Sequence, residues 1–322
     1  MSPKCLTSDF SESVSALSEK ELIKKICACF APQIDKAPFG PGDDCAVIAP
    51  SEFKGKIVST CDAVILDTHF DENTDPHLAG KKAMNRNISD IASMGGVPKF
   101  VMTSAIIGSN VSLAWLEDFS RGMRDAAKKY GVKFIGGDVA KGGDGFFSMH
   151  VNLLGDSENP ILRTGANAGD ILYVTGPLGC SFESGKHLDF EPRVCEGLFL
   201  AGFAGIGACT DLSDGLASDL KNIIPANCIA ELNAEKIPLA NFAGNTLQKA
   251  LSDGEDYELL FTAPVDSNIA QKFFEKFGTN IFEIGKIKTA PNPNTETAIF
   301  INENGKISEL QNSGYSHFGK RI

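Results

Sequence analysis

Nowhere in its 322 residues does the chain hold an apolar run approaching the ~18 residues of a membrane span. The stretch Met1 to Glu21 is too polar for a secretory signal. A cytoplasmic protein is the expectation. Positive charge is in short supply: 30 Lys and Arg face 41 Asp and Glu, a net charge of -11. Nucleic acid and anionic membranes are thereby disfavoured as partners. Common chemical signatures are missing as well. Gly185-Lys186-His187 looks like the end of a Walker A loop, but Cys180 stands five positions before Gly185 and His187 replaces the required Ser or Thr. Gly202 to Gly207 has the wrong spacing for a dinucleotide fingerprint, the five histidines form no His-Glu-x-x-His pair, and no hydrolase triad can be assembled. The nine cysteines, scattered from Cys5 to Cys228, lack the spacing of a disulfide framework and read mostly as small buried residues. Cys27 and Cys29 fall in a predicted helix, where residues two apart point to different faces, so packing is preferred to zinc.

At this length two domains are expected, and 43% hydrophobic residues is ordinary for a globular protein. We divide the chain at 1–157 and 158–322. The first half reads as α+β: a helix from about Glu19 behind a Ser18/Glu21 capping box, a strand Lys56 to Val64, a helix Leu78 to Met94, and a strand Lys99 to Ile107. A helix Ser112 to Tyr130 and strands Val132 to Ile135 and Phe146 to Leu154 follow. The second half opens with strand Ile171 to Thr175. Helices are predicted over Arg193 to Ala204, Ser213 to Ile224 and Ser267 to Phe277, with strands near Ile229 to Leu232, Tyr257 to Thr262 and Thr297 to Ile301.

Acidic residues recur in six short motifs: Gly40-Pro41-Gly42-Asp43-Asp44, Thr60-Cys61-Asp62, Asn87-Ile88-Ser89-Asp90, Gly136-Gly137-Asp138, Asp211-Leu212-Ser213-Asp214 and Ser252-Asp253-Gly254-Glu255-Asp256-Tyr257-Glu258. Acids brought that close repel one another unless cations lie between them. All-oxygen sites suit Mg2+ or Mn2+, and carboxylate-held divalent metals point to phosphate chemistry. The first motif predicts a turn before an apolar strand. Asp62 interrupts a strand expected to be buried, where an unpaired carboxylate is costly. Asp90 either faces solvent or joins Arg86 and Asn87 in a polar site. Gly136-Gly137-Asp138 is expected to end its strand and let a phosphate approach the backbone. Ser213 is placed as the N-cap of a helix whose free N–H groups receive an anion, against the plain alternative of a cap without ligand.

Taken in order, Gly-x-Gly-Asp-Asp, Asp62 with His69, Asn-x-Ser-Asp-x-x-x-Met-Gly, Gly-Gly-Asp, Arg-x-Gly-x-x-x-Gly-Asp, Asp-x-Ser-Asp-Gly and Gly-Glu-Asp-Tyr-Glu resemble the thiamine-monophosphate kinase family. That family lies in the superfamily of aminoimidazole ribonucleotide synthetase and selenophosphate synthetase. The resemblance runs from about Phe39 to Phe318. It implies a two-domain aminoimidazole ribonucleotide synthetase-like α/β fold, with an N-terminal mixed sheet forming a homodimer and a C-terminal α/β domain completing an ATP and substrate cleft. The implied reaction moves the γ-phosphoryl group of ATP onto thiamine monophosphate. By resemblance, Asp44, Thr60, the Cys61 carbonyl, Asp62, Asp90, Asp138, Asp211 and Asp214 are metal ligands for several Mg2+ ions, and a further K+ stays open. Gly137, Asp138, Arg163 and Ser213 fall at ATP positions, while His69, Glu255 and Tyr315 fall at substrate positions.

No general base is expected. The attacking oxygen belongs to a phosphate whose last proton leaves near pH ~6, so it is largely ionised at neutral pH, and what remains is positioning and charge neutralisation. The chain departs from the family pattern at Asp253 (usually Gly), at Cys61 (commonly Thr), at Val139-Ala140-Lys141 (usually hydroxyl residues) and in the short segment Gly179 to Pro192. The first ~16 residues read as an addition. Competing readings are aminoimidazole ribonucleotide synthetase, and a nucleotide- or metal-binding regulator without catalysis.

Overall fold

Alternating burial along four strands builds the first of two mixed sheets. The computed structural model describes residues 2–292 and 297–310, and the chain divides into two compact units, Met1–Ile91 with Gly96–Glu158, and Ala92–Gly95 with Asn159–Ile322. In the first, α1 (Glu19–Cys29) starts at the expected capping box: Glu21 N–H donates to Ser18 Oγ and Ser18 N–H to Glu21 Oε2. Then follow β1 (Lys56–Ile65), α2 (Pro76–Ser93), β2 (Val97–Gly108), α3 (Leu113–Lys129), β3 (Lys133–Gly142) and β4 (Phe147–Ser157). The sheet order is β1-β4-β2-β3, antiparallel except for the parallel β2–β3 pair. One face carries Val101, Ala105, Met149, Val151 and Leu153 into the core. There Trp115 and Phe119 of α3 pack edge-on against Phe147 at 4.9 and 5.1 Å.

Two expectations in this unit fail. β3 does not end at Gly136-Gly137-Asp138: it runs on to Gly142, because β2 continues beside it with Thr103 opposite Gly137 and Ser104 opposite Asp138. Ladder bonds from a neighbouring strand outweigh the local weakness of two glycines. Nor does a strand follow Gly40–Ala46. Val47 N–H donates back to the Pro38 carbonyl at 2.7 Å, which folds the segment into an irregular loop with Val47 exposed. The N-terminal addition is ordered on this unit, with Leu6 bridged to Val111, Ser13 bridged to Ser112 and Cys5 fully buried.

The second unit contains β5 (Ile171–Val174), α4 (Ser181–Ser184), α5 (Lys186–Asp189), α6 (Val194–Ala201), β6 (Cys209–Asp211), α7 (Leu216–Asp219), β7 (Cys228–Asn233), α8 (Leu247–Ser252), β8 (Leu259–Ala263), α9 (Ile269–Phe277), β9 (Phe282–Thr289), β10 (Ala298–Glu303) and β11 (Lys306–Glu309). Its seven-stranded sheet has the order β11-β10-β7-β9-β5-β8-β6. Alternation sends Leu172, Val174 and Leu260 into one core with Leu216 and Leu251, and Ile171, Tyr173 and Phe261 into another with Leu200 and Phe273. Both faces are thus covered, which accounts for strands that read as continuous apolar runs. The long helix expected over Ser213 to Ile224 is instead the single turn of α7 followed by a 3-10 turn at Leu220–Ile223. Gly215, at φ 101°, breaks the start, and the Asp219 carboxylate takes the Ser213 and Asp214 N–H groups. Ser213 is therefore not a helix N-cap. Of the nine cysteines, four are buried and three exposed, and none is bonded to another, so burial is less general than expected.

Candidate active site

In the first unit, β1 and α2 share a polar seam. Thr60 and Asp62 lie two apart on β1, and Arg86, Asn87 and Asp90 lie at helical spacing on α2, so each set projects from one side of its element. Thr60 Oγ1 donates to Asp90 Oδ2. Asp62 N–H donates to Asn87 Oδ1 at 2.9 Å, and the Asn87 amide is itself fixed by donating to the Ala83 carbonyl at 3.1 Å. Arg86 approaches Asp62 Oδ2 at 3.4 Å and donates to the Ala63 carbonyl at 3.0 Å. Asp62 is not the buried, isolated carboxylate expected: its side chain is 36% exposed and paired. The strand is half-open at this position, so the cost-of-burial argument does not apply to it. What the seam offers is a hydroxyl and two carboxylates open to water. That donor set fits Mg2+, which accepts few protein oxygens and keeps several waters.

The other acids of this unit stand apart from that seam. Asp138 sits on β3, and the row Asp62–Val151–Thr103–Gly137 crosses β4 and β2 before reaching its neighbour. Three strand spacings amount to roughly 14 Å, so Asp62 and Asp138 do not ligate one ion within this sheet. Asp138 and Gly137 instead border a cavity of about 100 Å³ whose other walls are Ile26, Phe30, Pro41 and Phe134. Asp44 lies exposed in the irregular loop, its N–H donating to Asp43 Oδ1 at 2.9 Å, and Cys61 is exposed on β1. His69 is buried in the turn after β1. Its Nδ1 accepts from Ile65 N–H at 3.1 Å, which puts the ring proton of the neutral form on Nε2, and its carbonyl accepts from the buried Lys82 Nζ at 2.7 Å.

In the second unit the fold joins two motifs that lie some forty positions apart in sequence. Glu255 N–H donates to the Ser213 carbonyl and Tyr257 N–H to the Leu212 carbonyl, both at 2.8 Å, while Leu212 N–H donates to the Glu258 carbonyl at 2.9 Å. Three residues of the second motif adopt left-handed backbone, Gly254 (φ 74°), Glu255 (φ 53°) and Tyr257 (φ 51°). For non-glycine residues this costs about 1 kcal/mol each. Buried carboxylates hold it there. Asp256 accepts from Gly179 N–H at 3.0 Å and Ser181 Oγ at 2.6 Å, and burial pushes its carboxyl up to about 6. Glu258 accepts from Arg193 Nε, Lys186 Nζ and Thr175 Oγ1 at 2.8, 3.0 and 2.8 Å. Burial alone would raise the Glu258 carboxyl, but Lys186 and Arg193 outweigh it and hold the group below the usual range. Asp211 is buried at the end of β6, Glu255 is half-buried, and Arg163 is exposed but its charge reaches Asp219. Tyr315 lies outside the described residues.

Sequence reasoning missed Asp219, Lys82, Arg193 and the pairing role of Lys186. A Lys or Asp inside an otherwise apolar helical stripe was the available signal for Lys82 and Asp219. Among the described residues, the one trio of His, Cys, Asp or Glu side chains with ligand atoms within 4.8 Å of one another is Cys180, Glu183 and Asp253. There Lys249 Nζ contacts Glu183 and lies 3.5 Å from Cys180 Sγ, so an ammonium already offsets part of the group's negative charge.

Comparison with known proteins gives consistent matches. Residues 42–156 match the family of AIR synthase related protein, N-terminal domain, and residues 167–296 match its C-terminal domain. A thiamine-monophosphate kinase of Buchnera aphidicola is 34% identical over 309 residues, covering 87% of this chain and 92% of that protein. The one from Escherichia coli K12 is 32% identical, covering 87% and 91%. Among solved structures, the thiamine-monophosphate kinase of Stenotrophomonas maltophilia superposes with a TM-score of 0.72 at 28% identity, covering 88% of this chain and 96% of that one. A structure described as AaThiL complexed with AMPPCP and TMP gives a TM-score of 0.70 at 27% identity, covering 95% and 98%. The hydrogenase maturation protein HypE in complex with ATP gives 0.75 at 17% identity, covering 95% and 97%, a likeness of fold.

Proposed function

The chain belongs to the thiamine-monophosphate kinase family, and from that membership we propose the way its residues carry the reaction. The enzyme is an ATP-dependent thiamine-phosphate kinase, which forms thiamine diphosphate and ADP from thiamine monophosphate. The carrying observation is identity above 30% across about nine-tenths of such kinases.

Mg2+ held by Asp44, Thr60, the Cys61 carbonyl, Asp62, Asp90, Asp138, Asp211 and Asp214 supplies charge neutralisation to the two phosphate groups. Within the first unit, the roughly 14 Å between Asp62 and Asp138 supports more than one ion. The Thr60–Asp90 hydrogen bond and the Arg86–Asp62 pair hold the ligand oxygens of the β1–α2 seam, and Asn87 fixes the Asp62 main chain, so little ordering is left for the transition state. Gly137, Asp138, Arg163 and Ser213 bind ATP. With the Ser213 N–H spent on Asp219, the Ser213 hydroxyl is the group left for a phosphate. His69 and Glu255 bind thiamine monophosphate, Glu255 countering the cationic thiazolium. Tyr315 belongs to the same substrate set. No side chain is required to take a proton from the acceptor phosphate.

A homodimer is supported by the open face of the first sheet. Ile57, Cys61, Val97 and Met102 line it on the side away from the buried Val101 and Ala105, and all four are exposed. A cytoplasmic setting fits a set of described residues in which no helix is long and apolar enough to cross a membrane. The deciding assay offers ATP and Mg2+ with either thiamine monophosphate or formylglycinamidine ribonucleotide. Thiamine diphosphate and ADP in equal amounts from the first alone is the expected result. Turnover of the second alone, or ATP binding without ADP, would overturn the assignment.

A further inference from the structure

Asp219 does something that none of the acidic motifs predicted. It is 3% exposed, and one of its oxygens, Oδ2, accepts hydrogen bonds from two successive backbone groups, Ser213 N–H and Asp214 N–H, each at 2.9 Å. Two consecutive N–H groups converging on one point form a nest, an arrangement that ordinarily receives an external anion. Here the acceptor is one of the chain's own carboxyl groups. The other side of the same turn is gripped by Glu255 N–H on the Ser213 carbonyl, and Gly254 packs so tightly that a Cβ there would stand 2.7 Å from that oxygen. The peptide planes on both sides of Ser213 are therefore fixed, and with them the direction in which the Asp214 side chain leaves the main chain.

A buried carboxylate is expensive to keep, and an apolar residue at position 219 would pack into the surrounding Leu216, Leu220 and Ile223 core without that cost. We propose that Asp219 is a positioning residue for Asp214: it locks the turn so that the Asp214 carboxylate is held ready for a divalent cation. This rests on the reading of Asp214 as a metal ligand. Removing the carboxylate leaves two N–H groups unsatisfied and lets the turn relax, which weakens the cation site without touching it.

The test is Mg2+ binding to the full-length chain by calorimetry beside the Mg2+ dependence of its turnover, with folding followed by thermal melting. Asp219→Ala is expected to raise the Mg2+ concentration for half-maximal activity about 10-fold or more, the scale seen when a residue orienting a ligand is removed, with kcat largely recovered at saturating Mg2+. Asp219→Asn, which keeps an acceptor oxygen in place, restores most of the wild-type Mg2+ dependence. Should Asp219→Ala not fold, Asp219→Ser carries the same test, because its hydroxyl is too short to reach both N–H groups. Asp214→Asn is measured beside them. A folded Asp219→Ala or Asp219→Ser with wild-type Mg2+ dependence, beside a shifted Asp214→Asn, overturns the positioning role alone. An unshifted Asp214→Asn overturns the metal reading and the inference together.

Discussion

Replacing Glu258 by Gln preserves the shape of a side chain that is 2% exposed and deletes the charge that four donor contacts converge on. Arg193 Nε and Nη2 at 2.8 and 3.0 Å and Lys186 Nζ at 3.0 Å would lose their nearest anion, keeping Glu196 at 3.2 Å and Asp256 at 3.8 Å. Breaking a fully buried pair costs about 3–5 kcal/mol. Here the two cations keep side-chain exposures of 30% and 27%, so water recovers part of that loss. The expected cost is about 2–3 kcal/mol, or a drop of about 4–12 °C in the Tm of the second unit. The pH dependence adds an internal check. Because the native Glu258 carboxyl is held below its unfolded value, its stabilisation is present above the ordinary carboxylate range and is lost as pH falls through the native value. The gap between wild type and Glu258→Gln should therefore shrink in acid. Glu258→Met combined with Arg193→Met, which removes anion and main partner together, should lie within about 1 kcal/mol of wild type. Denaturant or thermal unfolding measures all three. A Glu258→Gln loss under about 1 kcal/mol, or a gap that widens in acid, would refute the view that this carboxylate anchors the left-handed segment carrying Glu255.

Further outcomes follow from the same contacts. Asp62→Asn should lower kcat about 100-fold or more at physiological Mg2+ while changing Tm by less than the equivalent of ~1 kcal/mol, since it forfeits only a half-exposed pair with Arg86; near wild-type turnover would remove Asp62 from the metal set. Asp256 is raised, so folding favours its protonated form and stability falls as pH rises from about 4 to about 6. Asp256→Asn should flatten that fall, and an unchanged slope by chemical denaturation would contradict the assignment. Gly254→Ala places a Cβ at φ 74° and 2.7 Å from the Ser213 carbonyl oxygen; a loss of about 2 kcal/mol or more is expected, with a raised KM for thiamine monophosphate, and unaltered melting and KM would count against the turn geometry. On the proposed homodimer, Met102→Glu on the open sheet face should sediment as a monomer where the wild-type chain sediments as a dimer; a monomeric wild type would overturn the dimer, and equal coefficients would remove this face from it.

Local signals carried much of the fold. The Ser18/Glu21 capping box placed the start of α1, and the apolar stripe Trp115, Leu116, Phe119, Met123 placed α3, because each pattern is satisfied within a few residues. What failed depended on partners remote in sequence. β3 continued through two glycines because β2 lay alongside, and the helix expected from Ser213 collapsed to a turn because Asp219 reached back for the N–H groups that would have opened it. The candidate site divides the same way. Thr60, Asp62, Asn87 and Asp90 could be proposed from their motifs, since a strand and the following helix bring them together directly. Lys186 was set aside as part of a false Walker loop, and its actual task, neutralising Glu258 and Asp256, requires a contact that spans 72 positions. The buried status assigned to Asp62 was wrong because, although it shares the covered face with Val151, β1 is the edge strand of its sheet, which apolar neighbours in sequence do not reveal.

The central claim is that the dispersed acids hold divalent cations on which the phosphoryl transfer depends. Crystals grown with Mn2+, a non-hydrolysable ATP analogue and thiamine monophosphate test it most directly through anomalous scattering. Peaks about 2.1–2.3 Å from oxygens of Thr60, Asp62 or Asp90 and of Asp214, each also contacting phosphate, are the predicted result. Bound nucleotide and substrate with no peak on any of those side chains would contradict the account.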